Sequence, residues 1–180
     1  MKQGRIAKEI AIIRELDELG KANYRSAITE GMGKYSGRYD AVNQRMLDVL
    51  GVEIVGDLLK YPSQLKIVEA SPSVRGVTWD NKVWVKDDLP YKEKVINHEL
   101  AHIGFGHSQS DLPIALQEVQ AEGTSYGIGH RLGIPLDVLA MSSAPVLNSR
   151  MRQYSPEQIG NMLEMNRSRI SEMVNKFMRG

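Results

Sequence analysis

One segment constrains this chain more than any other. It is His98-Glu99-Leu100-Ala101-His102, an H-E-x-x-H pattern inside a helix predicted from about Pro90 to Ile103. Two histidines four residues apart lie on the same face of a helix. Both imidazoles can then bind one Zn²⁺ ion. The rest of the chain must therefore leave this helix face open to an ion and complete the site from another element.

The glutamate of the pattern has a different predicted role from the histidines. Glu99 is turned about 100° from His98 around the helix axis, which places its carboxylate beside the ion. A catalytic zinc lowers the pKa of a water to about 7, and a neighbouring carboxylate can accept that water's proton. A helix can also carry two histidines by chance. Here, however, three of the four histidines lie within the ten residues from His98 to His107, which favours a metal site over a chance match.

A catalytic zinc needs a third protein ligand. The chain has no cysteine, so the candidates are Glu118, Glu122, His107 and His130. The metzincin spacing H-E-x-x-H-x-x-G-x-x-H would require a histidine at position 108, where this chain has Ser108. Glu118 and Glu122 lie one turn apart on the next predicted helix, so one can bind the ion while the other accepts a hydrogen bond from a ligating imidazole. We expect Glu118 to be the ligand, with Glu122 or His107 as the alternatives.

The remaining patterns predict an α+β fold in a single domain over residues 1–180. We expect a helical N-terminal extension over 1–62, a core over 63–135 and C-terminal helices over 136–180. Gly-rich residues 31–38 predict a loop, and residues 52–60 suit either a helix or a strand. The other expected elements are helices over 5–19, after Asp40 and over 113–132, a strand over 65–69, a β-hairpin over 77–85, and one long helix from Ser155 to about Phe177.

Charge and hydropathy exclude several classes of protein. Lys+Arg 23 against Asp+Glu 22 gives a net charge of +1, so no strong field attracts nucleic acid. Binding of nucleic acid by the basic residues of the last helix is a weaker alternative. These residues are Arg167, Arg169, Lys176 and Arg179. No apolar run approaches the roughly 18 residues of a membrane span, and no secretory signal begins the chain, so we expect a cytoplasmic protein.

The stretch from Gly76 to Pro135, roughly a third of the chain, resembles the ImmA/IrrE-type zinc metallopeptidases and the metallopeptidase half of ArdC-type antirestriction proteins. The matching pieces are the strand Asn81–Val85, the H-E-x-x-H segment, Gly106-His107, Glu118-x-x-Ala121-Glu122 and Arg131–Pro135. The family often has a small or polar residue where this chain has Glu122.

The resemblance implies a zincin-like metallopeptidase core with a small sheet packed on the active-site helix. It implies Zn²⁺ bound by His98, His102 and Glu118, with Glu99 as general base, and a protein or peptide as substrate. Relatives act on repressors or on DNA-defence systems. The alternative function is therefore a metal-bearing regulatory or antirestriction-type interaction protein without turnover.

Three further features bear on the site. The strand Lys82–Lys86 is a candidate edge for pairing with an extended peptide. Three glycines in the second helix, Gly123, Gly127 and Gly129, indicate close approach of a neighbouring element. Polar groups that can reach the metal or stabilise an oxyanion are Tyr91, His107, Tyr126, His130 and Arg131.

Overall fold

A computed structural model describes residues 4–20, 31–57, 75–79 and 81–179. The helices are α1 (Gly4–Glu18), α2 (Asp40–Leu50), α3 (Lys92–Gly104), α4 (Ile114–Arg131), α5 (Leu136–Arg150), α6 (Pro156–Met165) and α7 (Arg167–Arg179). The strands are β1 (Glu53–Asp57), β2 (Gly76–Trp79) and β3 (Lys82–Val85). Short 3-10 helices cover Ser36–Tyr39 and His107–Gln109. The α+β expectation is confirmed at this level. Over the described ranges, no helix is both long enough and apolar enough to cross a bilayer.

The sheet has the order β1-β3-β2, with β3 parallel to β1 and antiparallel to β2. The predicted hairpin is therefore present, and Asn81 takes a positive φ of 55° in its turn. The prediction that Lys82–Lys86 forms an open edge is wrong, because Lys82–Val85 is the central strand and has a partner on each side. The ambiguous residues after 52 supply β1, so the segment expected to be a helical extension contributes a strand. The strand expected over 65–69 lies outside the described residues.

The segment before α2 holds the first turn of α3 in place. The loop expected over 31–38 is instead helical at 31–33 and enters the 3-10 helix at Ser36. The buried Ser36 hydroxyl accepts from the backbone N–H of Lys94 at 3.1 Å and donates to the Glu93 carboxylate at 2.9 Å. Asn43 of α2 donates to the Glu93 carbonyl at 2.8 Å. Free N–H groups at a helix start need such partners, so these bonds fix the entry of α3.

Helix α4 lies at the centre of the fold and packs against α3, α5 and α7. A Cβ atom added to Gly123 would lie 2.5 Å from Ile170 Cδ1, and one added to Gly127 would lie 2.8 Å from Val174 Cγ2. Ile170 and Val174 belong to α7, so these glycines permit the close approach expected of them. The single long helix expected from Ser155 is two helices, α6 and α7. The break is at Asn166, whose side-chain amide donates to the Met162 carbonyl at 2.8 Å.

Helix α1 fixes the far end of α5. Arg14 donates through Nε to Asn148 Oδ1 at 2.8 Å, through Nη1 to the Tyr154 carbonyl at 2.5 Å and through Nη2 to the Met151 carbonyl at 3.2 Å. Met151 directly follows the last turn of α5, where carbonyl groups have no partner within the helix and can accept from a guanidinium. The C-terminal turn of α5, which ends at Arg150, is thereby held in position.

Candidate metal centre

Three donor groups from two helices converge on one point. His98 and His102 lie on α3, and Glu118 lies on α4. The Nε2 atoms of the two histidines are 3.1 Å apart, Glu118 Oε2 is 3.2 Å from His98 Nε2, and Glu118 Oε1 is 3.3 Å from His102 Nε2. These residues form a group that can hold a metal ion. The structure thus brings together the three residues expected as ligands.

The spacing of these donors fits a small tetrahedral cation. Zinc lies about 2.0–2.1 Å from histidine nitrogen and carboxylate oxygen, so two ligands of a tetrahedral site are about 3.3 Å apart. The two Nε2 atoms are 3.1 Å apart, and each has one Glu118 oxygen at 3.2 or 3.3 Å, close to that value. Two imidazole nitrogens and one carboxylate also form a donor set that suits zinc chemically.

A buried carboxylate and a buried ammonium stand behind His98. Glu122 Oε2 lies 2.5 Å from His98 Nδ1, and Glu122 Oε1 accepts a hydrogen bond from Lys94 Nζ. Glu122 is fully buried and Lys94 is 3% exposed. With Nε2 directed at the ion, His98 donates its Nδ1–H to Glu122, which fixes the tautomer and the ring orientation. Glu122 therefore contacts the outer ring nitrogen of His98, while Glu118 is the carboxylate that lies beside both Nε2 atoms.

A chain of hydrogen bonds orients His102 in the same manner. His102 Nδ1 lies 2.8 Å from His107 Nδ1, and His107 Nε2 lies 2.7 Å from Gln120 Oε1. Gln120 Nε2 in turn donates to Asn166 Oδ1 at 3.1 Å. If His102 Nε2 faces an ion, His102 Nδ1–H donates to His107, His107 Nε2–H donates to Gln120, and Gln120 donates to Asn166. His107, an alternative third ligand in the sequence, thus supports His102 and uses both of its ring nitrogens in doing so.

Glu99 lies between α3 and β2 at the junction of two cavities. A Cβ atom added to Gly76 would lie 3.1 Å from Glu99 Cγ, so the glutamate side chain rests against the backbone of β2. Glu99 is 8% exposed. Burial raises the pKa of its carboxyl, while the charges of His102 and His98 oppose that rise. A carboxylate with a raised pKa in contact with both cavities has the properties of a general base.

The two cavities share the metal ligand Glu118 and the glutamate Glu99. The first and smaller cavity lies on the His98 side, between α3, α5 and the start of β2. The second and larger cavity lies on the His102 side and is bordered by Val77 and Thr78 of β2. Gly76 and Arg150 also border both. A ligand that extends from one cavity into the other would pass Glu99 and Glu118, which border both.

The other polar residues named from the sequence divide into two groups. Tyr91 borders the first cavity and His107 the second. Of the described residues, Tyr126, His130 and Arg131 border neither cavity. Tyr126 is buried in the hydrophobic core, and Arg131 donates to Asn175 Oδ1 at 2.5 Å.

Sequence reasoning missed three residues of the site, namely Lys94, Gln120 and Arg150. A signal existed for Lys94, because it precedes His98 by four residues and so lies on the metal-facing side of α3. Gln120 and Arg150 gave no comparable signal. Each reaches the site only because its helix packs against a neighbouring helix, which no pattern within one helix reveals.

The electrostatic state of the ligands predicts proton release when metal binds. Burial alone would lower the pKa of His98, but the carboxylates of Glu118 and Glu122 raise it to about 10. Burial opposes ionisation of Glu118, yet hydrogen bonds from His102 and His98 hold its pKa well below the usual range. At pH 8 in the metal-free protein, His98 is therefore the positively charged imidazolium with both ring nitrogens protonated, and Glu118 is the ionised carboxylate.

Zinc uptake at pH 8 is expected to release about one proton, because zinc binds the neutral imidazole. Zinc affinity should accordingly rise with pH in the neutral and mildly alkaline range, because the raised pKa of His98 makes a proton compete with the ion. Calorimetric titration in buffers of different ionisation enthalpy measures the number of protons released. Zinc binding with no proton release would contradict the predicted state of His98.

Comparison of the chain with protein-family models, with curated proteins and with solved structures gave no match. The function therefore has to be inferred from the site itself.

Proposed function

We propose that the protein is a zinc-dependent metallopeptidase with a zincin-like catalytic core. The observation that carries this proposal is the set of three donor separations, 3.1, 3.2 and 3.3 Å, together with Glu99, which borders the same two cavities as Glu118. His98, His102 and Glu118 would hold the ion. When bound, zinc supplies Lewis-acid chemistry, polarising a carbonyl and lowering the pKa of a water to about 7.

The residues of the chain account for the remaining steps of peptide hydrolysis. Glu99 accepts a proton from the attacking water while the oxygen of that water forms a bond to the carbon of the scissile peptide group. The carbon–nitrogen bond then breaks, and Glu99 delivers the proton to the leaving amine. Glu122 and His107 keep the two imidazoles in the orientation that leaves each Nε2 available.

The substrate we propose is a protein or peptide in extended conformation. Within the described part of the chain, β2 pairs only with β3, so its other side is an edge. Residues Gly76, Val77 and Thr78 of this strand border the larger cavity next to Glu99. The backbone of an extended peptide that pairs with β2 would lie along the cavity that contains His102 and Glu118. The role first expected for Lys82–Lys86 thus passes to the neighbouring strand.

A zinc analysis combined with a cleavage assay tests the proposal. Protein purified without added metal should contain one zinc per chain or take up one on supplementation, and should cleave an unstructured protein such as casein. A chain that takes up no metal would contradict the site. A chain that binds zinc tightly yet cleaves no protein or peptide would favour the alternative, a metal-bearing regulator without turnover.

Removal of the metal should also lower thermal stability. A ligand at about 1,000 times its dissociation constant stabilises the folded state by about 4 kcal/mol. For a chain of this length that corresponds to a decrease in Tm of about 10 °C when a chelator removes the ion. Scanning calorimetry with and without chelator measures the shift, and re-addition of zinc should reverse it. An unchanged Tm would mean that no ion links α3 to α4.

A further inference from the structure

The smaller cavity contains charges that the metal centre does not use. Its charged lining residues are Glu99, Glu118, Glu122, Lys94, Arg75 and Arg150. All three carboxylates already have a role, since Glu118 contacts both histidines, Glu122 contacts His98 and Lys94, and Glu99 is the proposed general base. Lys94 is likewise engaged with Glu122. The two arginines are the charged groups that remain in this lining.

Neither arginine forms an ion pair in the described parts of the chain. The guanidinium of Arg75 lies over the ring of Tyr91, 5.8 Å from its centroid. Stacking on an aromatic face leaves the N–H groups around the guanidinium edge able to bind a planar anion. Arg75 is thus held in place by a contact that does not use its hydrogen-bond donors.

Arg150 lies on the α5 wall of this cavity, and its side chain is exposed. It ends α5, whose last turn is held by the bonds from Arg14 to Asn148 and Met151. Arg150 borders both cavities together with Glu99. The rest of the α5 wall, Ser142, Val146 and Ser149, carries no charge. A group entering beside the ion would therefore meet arginines at the rim and small neutral side chains along one wall.

We propose that the smaller cavity binds a carboxylate of the substrate residue next to the cleaved bond, through Arg75 and Arg150. This inference rests on the proposed peptidase function and narrows its substrate class. A divalent ion bound by His98, His102 and Glu118 would leave the cavity with a net positive charge, since its three carboxylates are matched by Lys94 and the two arginines. The carboxylate is either an acidic side chain or the free carboxyl terminus of a peptide, and both have the same recognition chemistry.

Binding of small zinc ligands tests the cavity without any need for turnover. The probes are monohydroxamates of succinic, glutaric and adipic acid, each compared with the analogue whose free carboxylate is replaced by a carboxamide. The hydroxamate binds zinc in both, so only the charge of the tail differs. On the zinc-loaded protein we expect the best carboxylate probe to bind about tenfold or more tighter than its carboxamide, as for a charge-assisted hydrogen bond. Equal affinities across all three lengths would overturn the proposal.

Single substitutions assign the preference to the two arginines. Arg75→Gln and Arg150→Gln should each reduce the preference for the carboxylate probe severalfold while zinc content stays unchanged. Arg152→Gln is the matched control, because Arg152 is exposed, lies two residues from Arg150 and does not border the cavity. A preference that survives in both arginine variants would contradict the assignment.

Peptide cleavage then separates the two sources of the carboxylate. One pair of peptides has glutamate or glutamine next to the cleaved bond and an amidated C-terminus, and a second pair ends there in leucine as the free acid or the amide. A glutamate preference indicates a side-chain pocket, and a free-acid preference indicates a carboxypeptidase. In Arg150→Gln, KM should rise for the charged peptides alone. A uniform fall in kcat for all four peptides would instead place Arg150 on the reacting carbonyl and overturn the proposal.

The outcomes separate this inference from the proposed function. A carboxylate preference among the hydroxamates without cleavage of any peptide would support the cavity and contradict the peptidase. Cleavage without any preference for a charged peptide or probe would support the peptidase and contradict the carboxylate-binding cavity. A chain that takes up no zinc would contradict both.

Discussion

Replacing Glu99 by glutamine should abolish most peptide hydrolysis while leaving the metal in place. The amide keeps the size of the side chain, so its packing against Gly76 of β2 is retained. The amide cannot accept a proton from water, and loss of a general base typically lowers kcat by roughly 10²–10⁴-fold. Zinc content, measured by elemental analysis, and Tm should match those of the wild-type protein.

The exposed Glu15 of α1 supplies the matched control. Glu15→Gln removes the same charge far from the cavities and should leave both kcat and zinc content unchanged. If Glu99→Gln cleaves peptides as fast as Glu15→Gln does, Glu99 is not the base. If Glu99→Gln also loses zinc, the residue acts on the ligands, which contradicts the role assigned to it beside them.

Replacing Lys94 by methionine should strongly destabilise the protein. Lys94 and Glu122 form an ion pair that is almost completely buried, with side-chain exposures of 4% and 0%. Methionine fills a similar volume but leaves Glu122 as a buried charge whose remaining partner is His98. Removal of one partner of a buried pair typically costs about 3–5 kcal/mol in the free energy of unfolding. Urea denaturation of the zinc-loaded protein measures this loss.

Two comparisons isolate the buried pair. Lys92→Met removes a lysine from the same helix whose partner Asp87 lies 3.6 Å away at the surface, and should cost less than about 1 kcal/mol. The double variant Lys94→Met with Glu122→Gln removes both charges and should recover much of the loss, since no unpaired charge then remains buried. A Lys94→Met variant as stable as Lys92→Met would mean that Glu122 is not ionised in the folded protein.

The parts of the site that could be predicted are those encoded by spacing within one helix. His98 and His102 share a face because they are one turn apart, and Glu118 and Glu122 share a face for the same reason. This spacing also predicts that one glutamate binds the ion while the other accepts a hydrogen bond from an imidazole, but which residue takes which role depends on how α4 packs against α3. The break between α6 and α7 was missed because the apolar stripe continues past Asn166, whose effect depends on a bond from its own side chain to the backbone.

The parts that could not be predicted depend on which distant elements meet. Whether β3 is an edge or a central strand is decided by β1, which comes from residues whose pattern suits either a helix or a strand. Arg150 borders the metal cavity only because α5 packs against α4 and is held by Arg14. No local pattern carries that information, since the partner lies far away in the chain.

The hydrogen bonds that run from His102 to Asn166 give one junction two roles. Asn166 ends α6 by bonding to Met162, and the same side chain is the last acceptor in the series that sets the ring of His102. Separating α6 from α7 would remove that acceptor and allow the imidazole to rotate. An ion held by His98, His102 and Glu118 would thus be bound more tightly because of the carboxyl-terminal helices, although neither of them carries one of these three donors.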